Sequence, residues 1–161
     1  MSDYSTSMLP FILLVVFIVL IIVLVPFVFY LITLQKTLEA ISPENRRMAP
    51  GQVWLLFIPL FNFIWQFMVV TNISDSIRDE CYRLSIPVSE DRPTYNIGLA
   101  KNILGLCGFI PVLGIFCSIA SIICWIVYWV KVNEYKNLII ANKDNDMLDA
   151  ERGVFHNTPQ N

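Results

Sequence analysis

Few side chains in this chain are equipped for chemistry, and those few lie in or beside apolar runs. Asn62 and Gln66 stand four residues apart inside the run 53–73, so on an α-helix they share one face. Amides at that depth must hydrogen-bond to protein, either as interhelical glue or along a substrate or ion path. Asn72, Asp75 and Asp79 follow at i, i+3 and i+7, where the run turns polar. Their oxygens are the hard ligands that a divalent cation takes. Arg78 and Arg83 are close enough in sequence to neutralise the same acids, so the competing expectation is a solvated ion-pair face. Lys101 and Asn102 interrupt the start of a second apolar block, 97–130. A lysine there must snorkel to water or pair, and Asp75 is its candidate partner.

Other chemistry is missing. Cys81, Cys107, Cys117 and Cys124 form no C-x-x-C, and three of them lie in apolar runs, so buried reduced thiols are expected. The one histidine, His156, is in the polar tail, so no metal site of the His type and no cofactor are expected. There is no nucleophile–base pair and no phosphate loop, and the chain is not expected to be an enzyme. A net charge of -2 lacks the basic footprint that a nucleic-acid partner requires.

The elements that must position these residues are membrane elements. Of 161 residues, 56% are hydrophobic and 15% charged, with mean hydropathy +0.61. A soluble domain of this size has too much surface to hide so apolar a composition. Residues 1–8 form a polar leader. From Leu9 to Leu34 no charge appears. At 1.5 Å per residue this is about 39 Å of helix, enough to cross a hydrocarbon core of about 30 Å. A signal peptide would need a basic start, a shorter apolar core and a small-residue cleavage site, all absent. A retained helix over 9–41 is therefore predicted, with Pro10 in its first turn and Pro26 kinking it. Ser42-Pro43 stops it, and Ala49-Pro50-Gly51 is turn punctuation.

Residues 51–84 and 95–141 each read as a helical hairpin broken at a proline, Pro59 in the first and Pro111 in the second. Phe109-Ile110-Pro111-Val112-Leu113-Gly114 echoes Phe57-Ile58-Pro59-Leu60-Phe61-Asn62, an internal repeat of short arm, Phe-Ile-Pro turn and long arm. Each block either returns to the face it entered or crosses once as a kinked span. In the first hairpin the turn is placed at Pro59–Asn62, with Asn62 serving a freed backbone group. Gly105, Gly108, Gly114, Ser118, Ala120 and Ser121 allow close helix approach, and Trp125, Tyr128 and Trp129 suit the membrane–water interface. Residues 142–161 form an acidic tail, expected to be a short helix or disordered. The leader has no Lys or Arg, whereas Lys36, Arg46 and Arg47 follow the first span. The N-terminus is therefore expected outside and the C-terminus in the cytoplasm. If both hairpins return, the remaining basic residues fall on or near the cytoplasmic face, which favours that topology.

The segments Pro50-Gly51-Gln52-Val53-Trp54, Ile58-Pro59-Leu60-Phe61-Asn62, Trp65-Gln66-Phe67 and Ile73-Ser74-Asp75-Ser76-Ile77, with the later Trp125-Ile126-Val127-Tyr128-Trp129, carry a resemblance. The pattern resembles a family of small, uncharacterised bacterial multi-pass membrane proteins of the domain-of-unknown-function type, and spans roughly Arg47 to Lys136. The resemblance implies a bacterial inner (plasma) membrane and supplies no activity. The expected fold is an all-α membrane protein, one N-terminal transmembrane helix followed by two Pro-turned hairpins, re-entrant or spanning. The expected role is a structural or interaction subunit, or a self-associating scaffold. Its partners would be the lipid bilayer and other membrane helices, in a homo-oligomer or a membrane complex. The alternative is a component of an oligomeric transporter or channel with polar residues at broken helices.

Overall fold

A computed structural model describes the backbone of residues 3–156 and the side chains of residues 8–148. The fold is all-α, with no strand among the described residues. The chain divides into two compact units, Met1–Ile32 and Thr33–Asn161. Helix α1, Asp3–Ala40, forms the described part of the first and lends its last turns to the second.

In the first unit the side chains of residues 8–25 are exposed all round the helix. A helix apolar on every side suits lipid rather than water. α1 starts at Asp3, within the expected polar leader, so Pro10 lies inside the helix and not in its first turn. α1 runs as one helix through Pro26 as well. Met8–Ala40 and Leu113–Leu148 are the two helices among the described residues that are long and apolar enough to cross a membrane.

The second unit begins with the end of α1 and a connection containing a short 3-10 turn, Pro43–Asn45. A 3-10 arm, Pro50–Phe57, follows, then α2, Pro59–Arg83. The first arm of the first hairpin is thus 3-10 and not α. Pro50 opens it, and the Ala49 N–H donates to Gln52 Oε1 at 3.1 Å. Pro59 then forces Ile58 into an extended conformation (φ -82, ψ 108) and starts α2 as its first residue. The chain therefore turns at Ile58, and Asn62 is already helical, its N–H bonded to the Ile58 carbonyl at 2.8 Å. α2 ends where Ser85 takes φ 54 and the Ile86 N–H reaches back to the Cys81 carbonyl at 2.9 Å.

α3 is Tyr95–Cys107 and α4 is Leu113–His156. Between them Val112 has φ 71, an unusual conformation for a β-branched residue, so the second Phe-Ile-Pro break is a true turn whereas the first is a helix start. The sequence repeat marks two breaks with different geometry. The two breaks nevertheless lie at the same end of the unit, since the Phe63 and Phe109 rings meet with centroids 5.7 Å apart. α4 continues well beyond the expected arm, carrying helix through 142–156 of the acidic tail; residues 157–161 lie outside the described residues.

α2, α3 and α4 pack with little room. A Cβ on Gly98 would lie 2.6 Å from Val70 on α2 and 2.8 Å from the Tyr128 ring on α4. Further along, Gly105 faces Ser121 and Gly108 faces Ser118, so α3 and α4 run antiparallel. The small residues singled out in the sequence are thus used within the chain.

Candidate functional site

The polar groups gather at the end of the unit opposite the two breaks. Glu80 is at their centre. Its side chain is fully buried although it sits in a run of charges. Glu80 Oε1 accepts from Ser42 Oγ at 2.9 Å and from Arg83 at 2.8 Å, and Oε2 accepts from Asn45 Nδ2 at 2.7 Å. Lys143 Nζ lies 3.4 Å from Oε1 and also donates to the Ala40 carbonyl at 2.7 Å. One carboxylate therefore ties together the 41–49 connection, α2 and the outer part of α4, and Lys143 links that group to the end of α1. Burial pushes its pKa up, but hydrogen bonds from Arg83, Asn45 and Ser42 outweigh this and bring it down to about 2. Sequence spacing puts Glu80 with Arg83 on a solvated helical face. The i,i+3 pair forms as that spacing implies, but the burial depends on Ser42 and Lys143, which no local pattern reveals.

The neighbouring Asp75 and Asp79 form ion pairs. Arg92 grips Asp75 with two parallel hydrogen bonds of 2.9 Å, and its guanidinium lies 4.1 Å from the Tyr95 ring centroid. Arg47 donates to Asp79 at 3.0 Å, and Arg78 reaches both acids. Burial raises the Asp79 pKa, yet the hydrogen bonds from Arg47 and Arg78 leave it below its ordinary value. Asn72 contributes its backbone carbonyl to Ser76 Oγ, which in turn accepts the Arg47 N–H at 2.8 Å. The Asn72, Asp75, Asp79 face is thus an ion-pair face. No cluster of three His, Cys, Asp or Glu side chains suited to a metal occurs among the described residues. Lys131 pairs with Glu90 at 2.9 Å and closes the belt on the α4 side.

A third group lies between the belt and the breaks. Lys101 is only 8% exposed, with its Nζ 5.7 Å from the Tyr128 ring centroid, so it does not snorkel to water. Asp75 is engaged by Arg92 and Arg78, and Lys101 lies against Tyr128 of α4. Ser121 Oγ donates to the Lys101 carbonyl at 3.1 Å. Asn102 is 1% exposed, and neither Oδ1 nor Nδ2 finds a hydrogen-bond partner among the described residues. Asn62 and Gln66 are half-buried on α2. Gln66 is one turn from Val70, and Asn102 one turn from Gly98, so the Val70–Gly98 contact places both amides at one level. Pro59 and Pro111 stand at the far end, at the breaks. Cys81 is the one fully buried thiol among the described residues, and burial and the Glu80 charge push its pKa up to about 11. Cys107, Cys117 and Cys124 are half-buried and free.

Three indoles are hydrogen-bonded to neighbouring segments. Trp54 Nε1 donates to Gln35 Oε1 at 2.6 Å, Trp129 Nε1 to Thr33 Oγ1 at 2.9 Å, and Trp65 Nε1 to the Gln52 carbonyl at 2.9 Å. Thr33 and Gln35 stand where the apolar run of α1 gives way to polar sequence.

No curated protein and no solved structure matches the chain. A family model described as "Domain of unknown function (DUF4328)" matches residues 2–96, more than half of the chain. It covers α1, the 3-10 arm, α2 and the belt loop, reaching further toward the N-terminus than the Arg47–Lys136 resemblance and stopping at the start of α3. Taken with the all-α fold and two helices of membrane-crossing length, this coverage shows that the chain belongs to the DUF4328 family, a domain of unknown function.

Proposed function

We propose that this protein is an integral membrane protein of the bacterial inner (plasma) membrane that acts as a structural or interaction subunit and not as an enzyme. α1 anchors it with the N-terminus outside, and the ion-pair belt and the C-terminal part of α4 face the cytoplasm. The observation that carries the reading is the course of α4. Beyond Lys143, which still binds Glu80, the helix continues to His156, and Met147 and Leu148 are exposed on it. From Lys143 to His156 is about 20 Å of helix at 1.5 Å per residue, exposed over residues 144–148. Apolar side chains on an exposed helix suit the groove of a partner. The belt is saturated by its own ion pairs, which speaks for a rigid platform. Residue-specific cross-linking from Met147 in cells should capture a second copy or a membrane partner, and Leu148→Asp in the same probe-bearing chain should abolish capture without lowering protein level. A monomer in mild detergent with no cross-linked partner would end the proposal.

A second reading is favoured by Asn102, whose buried amide has no partner among the described residues. In an oligomeric transporter or channel, polar groups near broken helices hold the transported species. This reading requires that Asn62→Leu/Gln66→Leu abolishes flux in liposomes while assembly persists; unchanged flux would count against it.

A further inference from the structure

The 41–49 connection and the start of the 3-10 arm frame an open cleft of ≈ 490 Å³, within the range of about 300–1,000 Å³ usual for small-ligand sites. Arg46, Arg47, Met48, Ala49 and Gln52 line it, together with two prolines of the same stretch. Its charged lining residues are both arginines, and no acid is among them. Arg46 donates from Nε to the Ile41 carbonyl at 2.8 Å and from Nη2 to the Glu39 carbonyl at 2.9 Å. These carbonyls lie at and just past the end of α1, where a helix offers them no donor. The guanidinium is thus held in place by neutral acceptors, and it pairs with no carboxylate among the described residues. Arg47, with 54% of its side chain exposed, puts Nε and Nη2 on one oxygen of Asp79. Nη1 of each arginine makes no hydrogen bond among the described residues. Gln52 Oε1 accepts from the Ala49 N–H, which leaves Nε2 as a further donor. Such a lining, two guanidinium groups and an amide without a carboxylate, suits a phosphate.

The height of the cleft follows from α1. Leu34 is the last residue of the uncharged run, and Glu39, whose carbonyl holds Arg46, follows within α1. The step from Leu34 to Glu39 is about 8 Å at 1.5 Å per residue. A bilayer about 40–45 Å thick with a core of about 30 Å has a head-group layer of about 5–8 Å on each side. Taking Leu34 as the edge of the core, the Arg46 guanidinium stands among the head groups. Trp54 and Trp65 support that height. The Trp54 indole bonds to Gln35, the residue after Leu34, and the Trp65 indole bonds to the carbonyl of Gln52 in the cleft wall. Tryptophan favours the membrane–water interface.

We propose that this cleft binds the phosphodiester head group of an anionic phospholipid, with Arg46 and Arg47 donating to the phosphate oxygens. The inference rests on the membrane-protein reading above and deepens it by naming a ligand. The height among the head groups favours a lipid phosphate over a phosphate free in solution. The lining favours an anionic lipid over a zwitterionic one, because a zwitterionic head group brings an ammonium and the cleft has no carboxylate to receive it. Arg46 is already fixed across the end of α1, so little freedom is lost when the phosphate arrives.

The test is native mass spectrometry of the full chain in detergent micelles, titrated with phosphatidylglycerol or with phosphatidylcholine of the same chain length. Phosphatidylglycerol should form a one-to-one complex at about tenfold lower concentration than phosphatidylcholine, the least expected of a charge-assisted hydrogen bond. Arg46→Gln/Arg47→Gln should abolish that preference. Because Arg46 also holds the end of α1, a second variant guards against a folding failure. Ala49 is exposed and lines the cleft, so Ala49→Glu puts an acid there without removing a side-chain hydrogen bond, and it too should abolish the preference. Lys136 lies outside the cleft and bonds to Asn133, so Lys136→Gln removes one positive charge and should leave the preference intact. Equal binding of the two lipids, an unchanged preference in Ala49→Glu, or the same loss in Lys136→Gln would each overturn the inference. Displacement of the lipid by an equimolar amount of glycerol phosphate would show a site for the free anion and overturn the lipid assignment. Extraction of the protein from cell membranes by alkaline carbonate would instead overturn the membrane-protein reading itself.

Discussion

Replacing Glu80 by Gln keeps the shape of the side chain and removes the charge on which the belt converges. The carboxyl is held at about 2, against an ordinary value of 4.5. At 1.36 kcal/mol per unit, the difference corresponds to about 3 kcal/mol of stability carried by the ionised form. A second estimate agrees, since removing one partner of a buried pair costs about 3–5 kcal/mol. The lower end applies here because Arg83 and Lys143 are each about a third exposed and can turn to water. The amide nitrogen introduced by Glu80→Gln would also face Asn45 Nδ2 or Arg83, donor against donor. The loss of about 3 kcal/mol should appear as a lower midpoint in denaturant unfolding in detergent micelles, followed by tryptophan fluorescence. Because the folded pKa is depressed, the stabilisation is fully present above pH 4.5 and is lost as pH falls from 4.5 through about 2. The wild type should weaken across that window more steeply than Glu80→Gln. A variant within about 0.5 kcal/mol of wild type, or an unchanged acid slope, would refute the central role given to this carboxylate.

Gly98→Ala should destabilise by about 1–3 kcal/mol in the same assay, because its Cβ would lie 2.6 Å from Val70 and 2.8 Å from Tyr128; Gly51→Ala, with open space around it, should stay within about 0.5 kcal/mol. Asp75→Asn should free Arg92 and the 84–94 loop and speed cleavage after Glu90 by a glutamate-specific protease, with a cost of only about 1 kcal/mol because both partners are partly exposed. Asn102→Leu should raise stability by about 1–2 kcal/mol by removing a buried amide that has no partner among the described residues; a loss of stability would mean that the amide is satisfied in the folded protein.

Local rules reach far into this fold. The uncharged run 9–34, the breaks at Pro59 and Pro111 and the helical spacing after them are set by covalent geometry and composition within a few residues of each position. They suffice for an all-α chain with long apolar helices. The same rules give the wrong start for α1 and the wrong first arm, since the cost of a proline inside a helix, or of a 3-10 segment, depends on what surrounds it. The ion pairs of Asp75 and Asp79 are half legible: Arg78 is in register on the same helix, but Arg92 and Arg47 come from loops.

Composition and spacing by themselves determined the class of molecule, the number of breaks and the candidate polar residues. Only the tertiary structure decided which of those residues are buried, which meet, and which face is left uncovered. Glu80 is the clearest case. Its Arg83 neighbour follows from helix periodicity, but its burial comes from Ser42, thirty-eight residues away in sequence, and from Lys143 on the last helix. Likewise the spacing of Gly105 and Gly108 shows that a helix can approach closely, but only the fold shows that Ser121 and Ser118 of α4 make that approach. A side chain's desolvation and pairing are properties of the space around it, and that space is closed by residues the local sequence does not contain.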